Sequence, residues 1–267
     1  MIYLRTVSKI FQVIYYFQWL FKLKSQHHID SPLIYDLMEN ALHNNDYFYA
    51  FDIIENYRKK LLSDKTLLEV EDLGAGSLKM NTNSRSVSSI AKNTLITPSF
   101  GQFIFRLIRY KKYTRVLDLG TSLGISGAYL ASHSRKLELH TIEGSHSISN
   151  VAKKTFDDLG LKNVVLHTGK FSDVLATLTQ EEPFDLIFID GHHSFEPTKE
   201  YFEKCRNMLS NDGIIILDDI HWSRGMNNAW DEIRSSPDIP LTIDLYYKGL
   251  VFPNLKDYPK AQYSLKL

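Results

Sequence analysis

Between Phe100 and Asp218 the chain alternates short apolar runs with stripes of apolar residues spaced three and four apart. That alternation constrains the fold more than any other feature. A short run bounded by turn residues reads as a buried strand, and the 3,4-spaced stripe after it as a helix that covers the sheet. Strands are predicted at 115–119, 137–142, 164–167, 184–190 and 213–218, with helices near 124–133, 147–159, 171–179 and 196–209. Repeated strand–helix units make neighbouring strands parallel and place helices on both faces. The predicted class is therefore α/β, a doubly wound and mostly parallel sheet. A leading helix from about Phe100 to Tyr110 precedes it, with Phe100, Phe103, Ile104, Leu107 and Ile108 on one face. The stretch PLTIDLYYKGLVF supplies two further strands.

The first ninety residues read differently. Ser31 is placed to cap a helix that Pro32 begins, and an aromatic-rich helix follows over 47–62. Residues 73–89 are dense in Gly, Ser, Thr and Asn, which predicts a loop or lid. The boundary is drawn at 92: a helical extension with its Ser-rich linker over 1–92, and the α/β domain over 93–267. Residues 10–23 are nearly all apolar and follow Arg5 and Lys9. They lack a small-residue cleavage site and are too short to span a bilayer, so they are read as a packed or homodimer-forming helix, or as a peripheral membrane contact.

Lys plus Arg and Asp plus Glu balance at 31 each, which gives no field to draw the chain to nucleic acid. The lone Cys205 falls on an apolar helical stripe and reads as a small buried hydrophobe. With no disulfide framework and no CxxC cluster, a reducing, cytoplasmic setting fits.

The run Asp118-Leu-Gly-Thr-Ser-Leu-Gly-Ile-Ser-Gly127 joins an apolar strand to an amphipathic helix, the place where a doubly wound sheet binds its ligand. Glycines at 120 and 124 let backbone approach a ligand. The next strand ends in Glu143, whose carboxylate can accept both hydroxyls of a ribose. Loop and acid together imply an adenosine-bearing cofactor. The glycines run G-x-x-x-G-x-x-G, unlike the G-x-G-x-x-G of pyrophosphate binders, which disfavours NAD. S-adenosylmethionine carries no phosphate. Its ammonium suits Asp118 or a nearby carbonyl, and its carboxylate suits loop amides. A second glycine loop, Asp72 to Ser77, is followed by no helical stripe and is read as part of the lid.

Two later strands end in acids, Asp190 in FIDGHH and Asp218-Asp219 in ILDDI. Strand ends of one parallel sheet open on one side, so these three carboxylates should converge, a hard-oxygen set suited to Mg²⁺. The bland alternative is that Asp190 and Asp218 cap helices while Asp219 faces water. His192, His193 and His221 lie near these ends, and His193, three residues after Asp190, is the preferred general base. Trp222, Tyr246 and Tyr247 are read as an aromatic wall or as core.

These residues resemble class I S-adenosylmethionine-dependent methyltransferases, and specifically the metal-dependent O-methyltransferases related to catechol O-methyltransferase and the cephalosporin-hydroxylase-type group. The likeness spans roughly 96–220: Pro98-Ser-Phe-Gly-Gln102 before the first strand, VLDLGTSLGISGAYLA as the cofactor loop, and FIDGHH with ILDDI as the acidic strand ends. It implies a Rossmann-like methyltransferase fold and methyl transfer to a small-molecule hydroxyl. The cofactor would be held by Asp118, Gly120, Thr121, Ser122, Gly124, Ser126, Glu143, Gly144, Lys170, Phe171 and Asp190, with metal on Asp190, Asp218 and Asp219 and catalysis by His193 and Asp190. Two positions depart from the pattern. His193 stands where the catechol enzymes carry a catalytic lysine, and Lys170 follows Gly169 where many relatives place an acid for the adenine amine, leaving Phe171 to stack on the ring. Whole-chain features such as HHIDSPLIYDL also resemble uncharacterised bacterial methyltransferase-like proteins, which assign no substrate. A cofactor-binding protein without catalysis is the alternative function.

Overall fold

A computed structural model describes residues 2–24, 29–70, 84–179 and 182–267, with side chains from residue 11 onward. The chain forms two compact units, one of residues 36–181 and one of residues 1–35 with 182–267.

In the unit 36–181, three parallel strands lie in the order β3-β4-β5: β3 (Arg115–Leu119), β4 (Glu138–Glu143) and β5 (Val164–Thr168). Helices α6 (Ile125–Ala131) and α7 (His146–Asp158) connect them, and α8 (Phe171–Leu178) follows. The predicted strand 115–119 is the observed one, because Val116, Leu117 and Leu119 are wholly buried and the charged Arg115 marks the edge of the run. The leading helix α5 (Pro98–Lys111) is capped by Thr97, whose Oγ1 accepts the N–H of Phe100, and it buries the whole predicted stripe. Gly101 lets that helix close on Tyr129 of α6, where a Cβ would sit 2.4 Å from the ring. Helix α3 (Tyr49–Ser63) adds Phe51 and Ile54 to this core.

Two predictions before β3 need correction. The helix that begins at Pro32 (α2, Pro32–Leu37) continues as a π-helical turn over Met38–Leu42 rather than as regular α-helix. The part of the predicted loop or lid from Ser84 to Ser89 forms regular structure. Ser84–Ser86 (β2) pairs antiparallel with Leu67–Glu69 (β1), and α4 (Val87–Thr94) starts at once, with the Ser86 hydroxyl accepting the N–H of Ser89. The serines that suggested a loop include the helix cap. Residues 73–83 of the predicted lid and the second glycine loop lie outside the described residues.

The other unit holds five strands in the order β10-β8-β9-β7-β6: β6 (Phe184–Ile189), β7 (Leu209–Asp218), β8 (Leu241–Asp244), β9 (Lys248–Phe252) and β10 (Ala261–Ser264). β6 and β7 are parallel, β9 runs antiparallel to both β7 and β8, and β10 returns parallel to β8. α9 (Phe195–Arg206) carries Cys205, fully buried as predicted, with its thiol pKa pushed up by that burial. Residues 224–235, for which the sequence pattern predicts no element, form helix α10 (Arg224–Ser235). Ser223 caps it and Met226, Ala229, Trp230 and Ile233 are buried on one stripe. The mostly parallel α/β class with flanking helices is confirmed.

Helix α1 (Ile2–Lys22) covers the predicted apolar segment. One side packs within its unit: Trp19 Nε1 donates to the Asp244 carbonyl at 3.0 Å, the Tyr246 hydroxyl donates to the Gln12 carbonyl at 2.8 Å, and Tyr15 stacks on His221. The other side leaves Val13, Ile14, Phe17 and Phe21 exposed. Among the described residues no helix is long and apolar enough to cross a membrane.

Candidate active site

The cofactor half of the predicted site lies in the unit 36–181. Where β3 ends, Gly120 (φ 117°) turns the chain, and Gly124 (φ 87°) opens α6 in the left-handed region that favours glycine. Phe156 of α7 closes on the loop, 3.1 Å from where a Gly124 Cβ would stand and 2.8 Å from that of Gly127. Backbone conformation and a tight helix contact therefore both require this glycine pattern.

Asp118 is wholly buried beneath the loop. Its Oδ2 accepts hydroxyl protons from Thr141 at 3.0 Å and Ser126 at 3.2 Å, while Oδ1 has no hydrogen-bond partner among the described residues. Burial pushes its carboxyl up to about 7, against the two hydroxyls that favour the charged form. Thr121 lies 2.6 Å from the Thr141 hydroxyl, which already gives its proton to Asp118, so Thr121 is the donor between them. The hydroxyls of Thr121 and Ser126, assigned to the cofactor by resemblance, are thus spent inside the loop's own support.

Glu143, by contrast, is half-buried and faces the loop. Its two oxygens accept the N–H groups of Ser122 at 2.9 Å and Ser145 at 3.0 Å. Burial raises its pKa and these amides, with that of Gly144, oppose the rise. The acid therefore fixes the glycine loop from the tip of the neighbouring strand. Each oxygen keeps a lone pair for a diol. Ser122, with φ 46°, shares a 2.7 Å hydrogen bond with the Thr94 hydroxyl of α4. The third strand's end is tied in when Gly169 donates its N–H to the Glu143 carbonyl at 2.9 Å. Lys170 then stands exposed at the start of α8 and Phe171 is half-buried in its first turn.

The acidic strand ends lie in the other unit. Asp190 follows β6, and His193 Nε2 lies 3.7 Å from its Oδ1 with the imidazole partly exposed. Asp218 ends β7 and Asp219 follows it with φ 52°. Burial and the neighbouring Asp218 charge push Asp219 up to about 6. Asp190, Asp218 and Asp219, the acids expected to hold Mg²⁺, stand at these two strand ends. Among the described residues there is no group of three or more acid, His or Cys side chains that could hold a metal ion. Asp218 is ion-paired with the ammonium of Lys248, whose charge also feels Asp190 and Asp219. Burial disfavours that ammonium, and the three carboxylates outweigh it, so the Lys248 pKa is raised.

His221 is not available as a base. It is buried, with Nδ1 2.7 Å from Asn227 Oδ1 and Nε2 2.9 Å from Asp244 Oδ2. Tyr246 is core, packed against His221 and Trp19, whereas Trp222 and Tyr247 are exposed. Sequence reasoning missed Lys248, although it stands alone as a cation in the apolar run LYYKGLVF.

Comparison with known proteins gives the class. A methyltransferase-domain family model matches residues 117–220, from the first strand and its glycine loop to the second acidic strand end. A catechol O-methyltransferase of Niastella koreensis (strain DSM 17620 / KACC 11465 / NBRC 106392 / GR20-10) is 31% identical over 174 residues, covering 64% of this chain and 73% of the relative. The chain belongs to the class I, S-adenosylmethionine-dependent O-methyltransferase family. A relative from Mycobacterium sp. (strain JLS), provisionally named an O-methyltransferase, is 32% identical over 125 residues, 46% of this chain and 56% of its own, so this chain spans just over half its length. Among solved structures, the O-methyltransferase from Bacillus cereus in complex with SAH shares the fold, with a TM-score of 0.55 at 19% identity over 78% of this chain and 90% of that one.

Proposed function

We propose that the chain methylates a hydroxyl oxygen of a small molecule, with His193 as general base. The observation that carries the base assignment is the His193–Asp190 pair at the end of β6. S-adenosylmethionine supplies an electrophilic methyl on a sulfonium centre. Glu143, held by the Ser122 and Ser145 amides, accepts the ribose hydroxyls, and the unpartnered Oδ1 of Asp118 is an acceptor suited to the ammonium end. As the substrate oxygen bonds to the methyl and the methyl–sulfur bond breaks, the hydroxyl proton passes to His193 Nδ1. Asp190, on the Nε2 side, steadies the imidazolium so formed. Orientation of the two reactants provides much of the acceleration.

The name of the Niastella relative supports a hydroxylated aromatic as substrate class. Balanced charge and a lone buried cysteine support action in the cytoplasm, with residues 1–92 as an extension to a methyltransferase domain over 93–267. The exposed row on α1 supports a homodimer or peripheral contact through residues 10–23. The test is calorimetric titration with S-adenosylhomocysteine, followed by transfer of labelled methyl to a panel of diols by the intact protein and by His193→Gln. Binding and turnover, with turnover alone lost in the variant, is the expected result. Binding without turnover on any acceptor would leave a non-catalytic cofactor protein, and no binding would overturn the cofactor site.

A further inference from the structure

Lys248 opens β9, and the antiparallel register sets it directly opposite Asp218, the last residue of β7. Both side chains are nearly enclosed, with 13% and 7% of their surface exposed. Oδ1 of Asp218 takes the Lys248 ammonium and the N–H of Asp219 together. Both claims on that oxygen come from within the chain, and a divalent ion coordinated there would have to displace the ammonium or sit against it with like charge. A strand register places the ammonium, since Asp218↔Lys248 is one rung of a four-rung ladder that includes Leu217↔Gly249 and Ile216↔Leu250.

We propose that the Lys248 ammonium takes the place of the divalent cation at the acidic strand ends, so that this chain's site is built to work without a metal. The strand that follows α10 and β8 thus delivers a fixed cation to the carboxylates that the sequence offers to Mg²⁺. Only the cation's catalytic use rests on the methyl-transfer reading. Its identity is a matter of metal binding and is read separately.

The experiment is a Mn²⁺ titration of the full chain followed by electron paramagnetic resonance. Intact protein, Lys248→Arg and Lys248→Met are compared, with circular dichroism and S-adenosylhomocysteine binding as checks on each variant. The intact protein and Lys248→Arg should leave Mn²⁺ free. Lys248→Met, which keeps length and removes charge, should gain one Mn²⁺ at least tenfold more tightly, and Asp218→Asn in that background should lose it. Turnover by the intact protein should be unchanged in chelator. One equivalent of Mn²⁺ held by the intact protein and lost in Asp218→Asn would overturn the proposal, as would a folded Lys248→Met that gains none. Neither result depends on whether a methyl acceptor has been found, so failure here is distinct from failure of the transferase reading.

Discussion

Glu143, at the tip of β4, receives the backbone N–H of Ser122 at 2.9 Å, so the acid proposed to take the ribose also holds the glycine loop. Glu143→Ala should therefore act twice, removing a ribose acceptor and releasing the loop. Hydrogen bonds to a charged group are worth about 1.5–3 kcal/mol, which corresponds to roughly ten- to hundredfold weaker S-adenosylhomocysteine binding by calorimetry. Glu143→Gln should recover part of that loss, because its amide oxygen still accepts the Ser122 proton.

Asp244 gathers three donors in the other unit. Its Oδ2 faces His221 Nε2 at 2.9 Å and accepts from Trp230 Nε1 at 3.2 Å, while Oδ1 accepts the Tyr246 N–H at 2.8 Å. Removing one partner from a buried polar network of this kind costs about 3–5 kcal/mol. Asp244→Ala should lose that much in urea unfolding, and a cycle with His221→Ala should show strong coupling. Independent, additive losses would mean that the two side chains do not support each other.

Gly249 sits in β9 against the face of Trp230, where a Cβ would meet the ring at 2.6 Å. A rigid aromatic cannot retreat cheaply, and overpacking of this kind costs about 1–3 kcal/mol. Gly249→Ala should lower the unfolding midpoint accordingly. Because Lys248 is the adjacent residue, the same variant should also disturb the Lys248–Asp218 pair.

The Asp158 carboxylate accepts the Tyr57 hydroxyl at 2.8 Å and the ammoniums of Lys60 at 3.1 Å and Lys154 at 3.3 Å, and these partners, Tyr57 first, hold it down at about 2. A folded-state pKa below the ordinary 3.8 contributes stability above that value, lost as pH falls towards about 2. Asp158→Asn should lower the melting temperature at neutral pH, and the difference from the intact protein should shrink through that acid window. A gap that widened with acid would reverse the assignment.

Periodicity made much of the fold readable. The strand at 115–119 and the α5 stripe from Phe100 to Ile108 follow directly from where apolar residues recur. Two helices stayed hidden for opposite reasons: α4 reads as loop because its first residues are serines, and α10 carries its stripe of Met226, Ala229, Trp230 and Ile233 between Asn, Asp, Glu and Arg. In the site, the glycines and Glu143 were legible because backbone geometry and strand ends leave local marks. The inward turn of Thr121 and Ser126 was not, since a hydroxyl's direction depends on Thr141 and Asp118 across the sheet. Lys248 was the largest omission. Its meeting with Asp218 depends on an antiparallel return over thirty residues that no short window contains.

The π-helical turn at Met38–Leu42 is, in terms of insertion and deletion, one residue too many for an α-helix. Its wide turn closes with the His43 N–H on the Met38 carbonyl at 2.8 Å and keeps Met38, Ala41 and Leu42 on the same buried side as Ile34 and Leu37. Asn40, exposed like its neighbour Glu39, donates its side-chain amide to the Asp36 carbonyl one turn back. Deleting it should let the segment relax into a regular helix without moving a core side chain to the surface. This is a place where the gene can lose a codon and keep the protein.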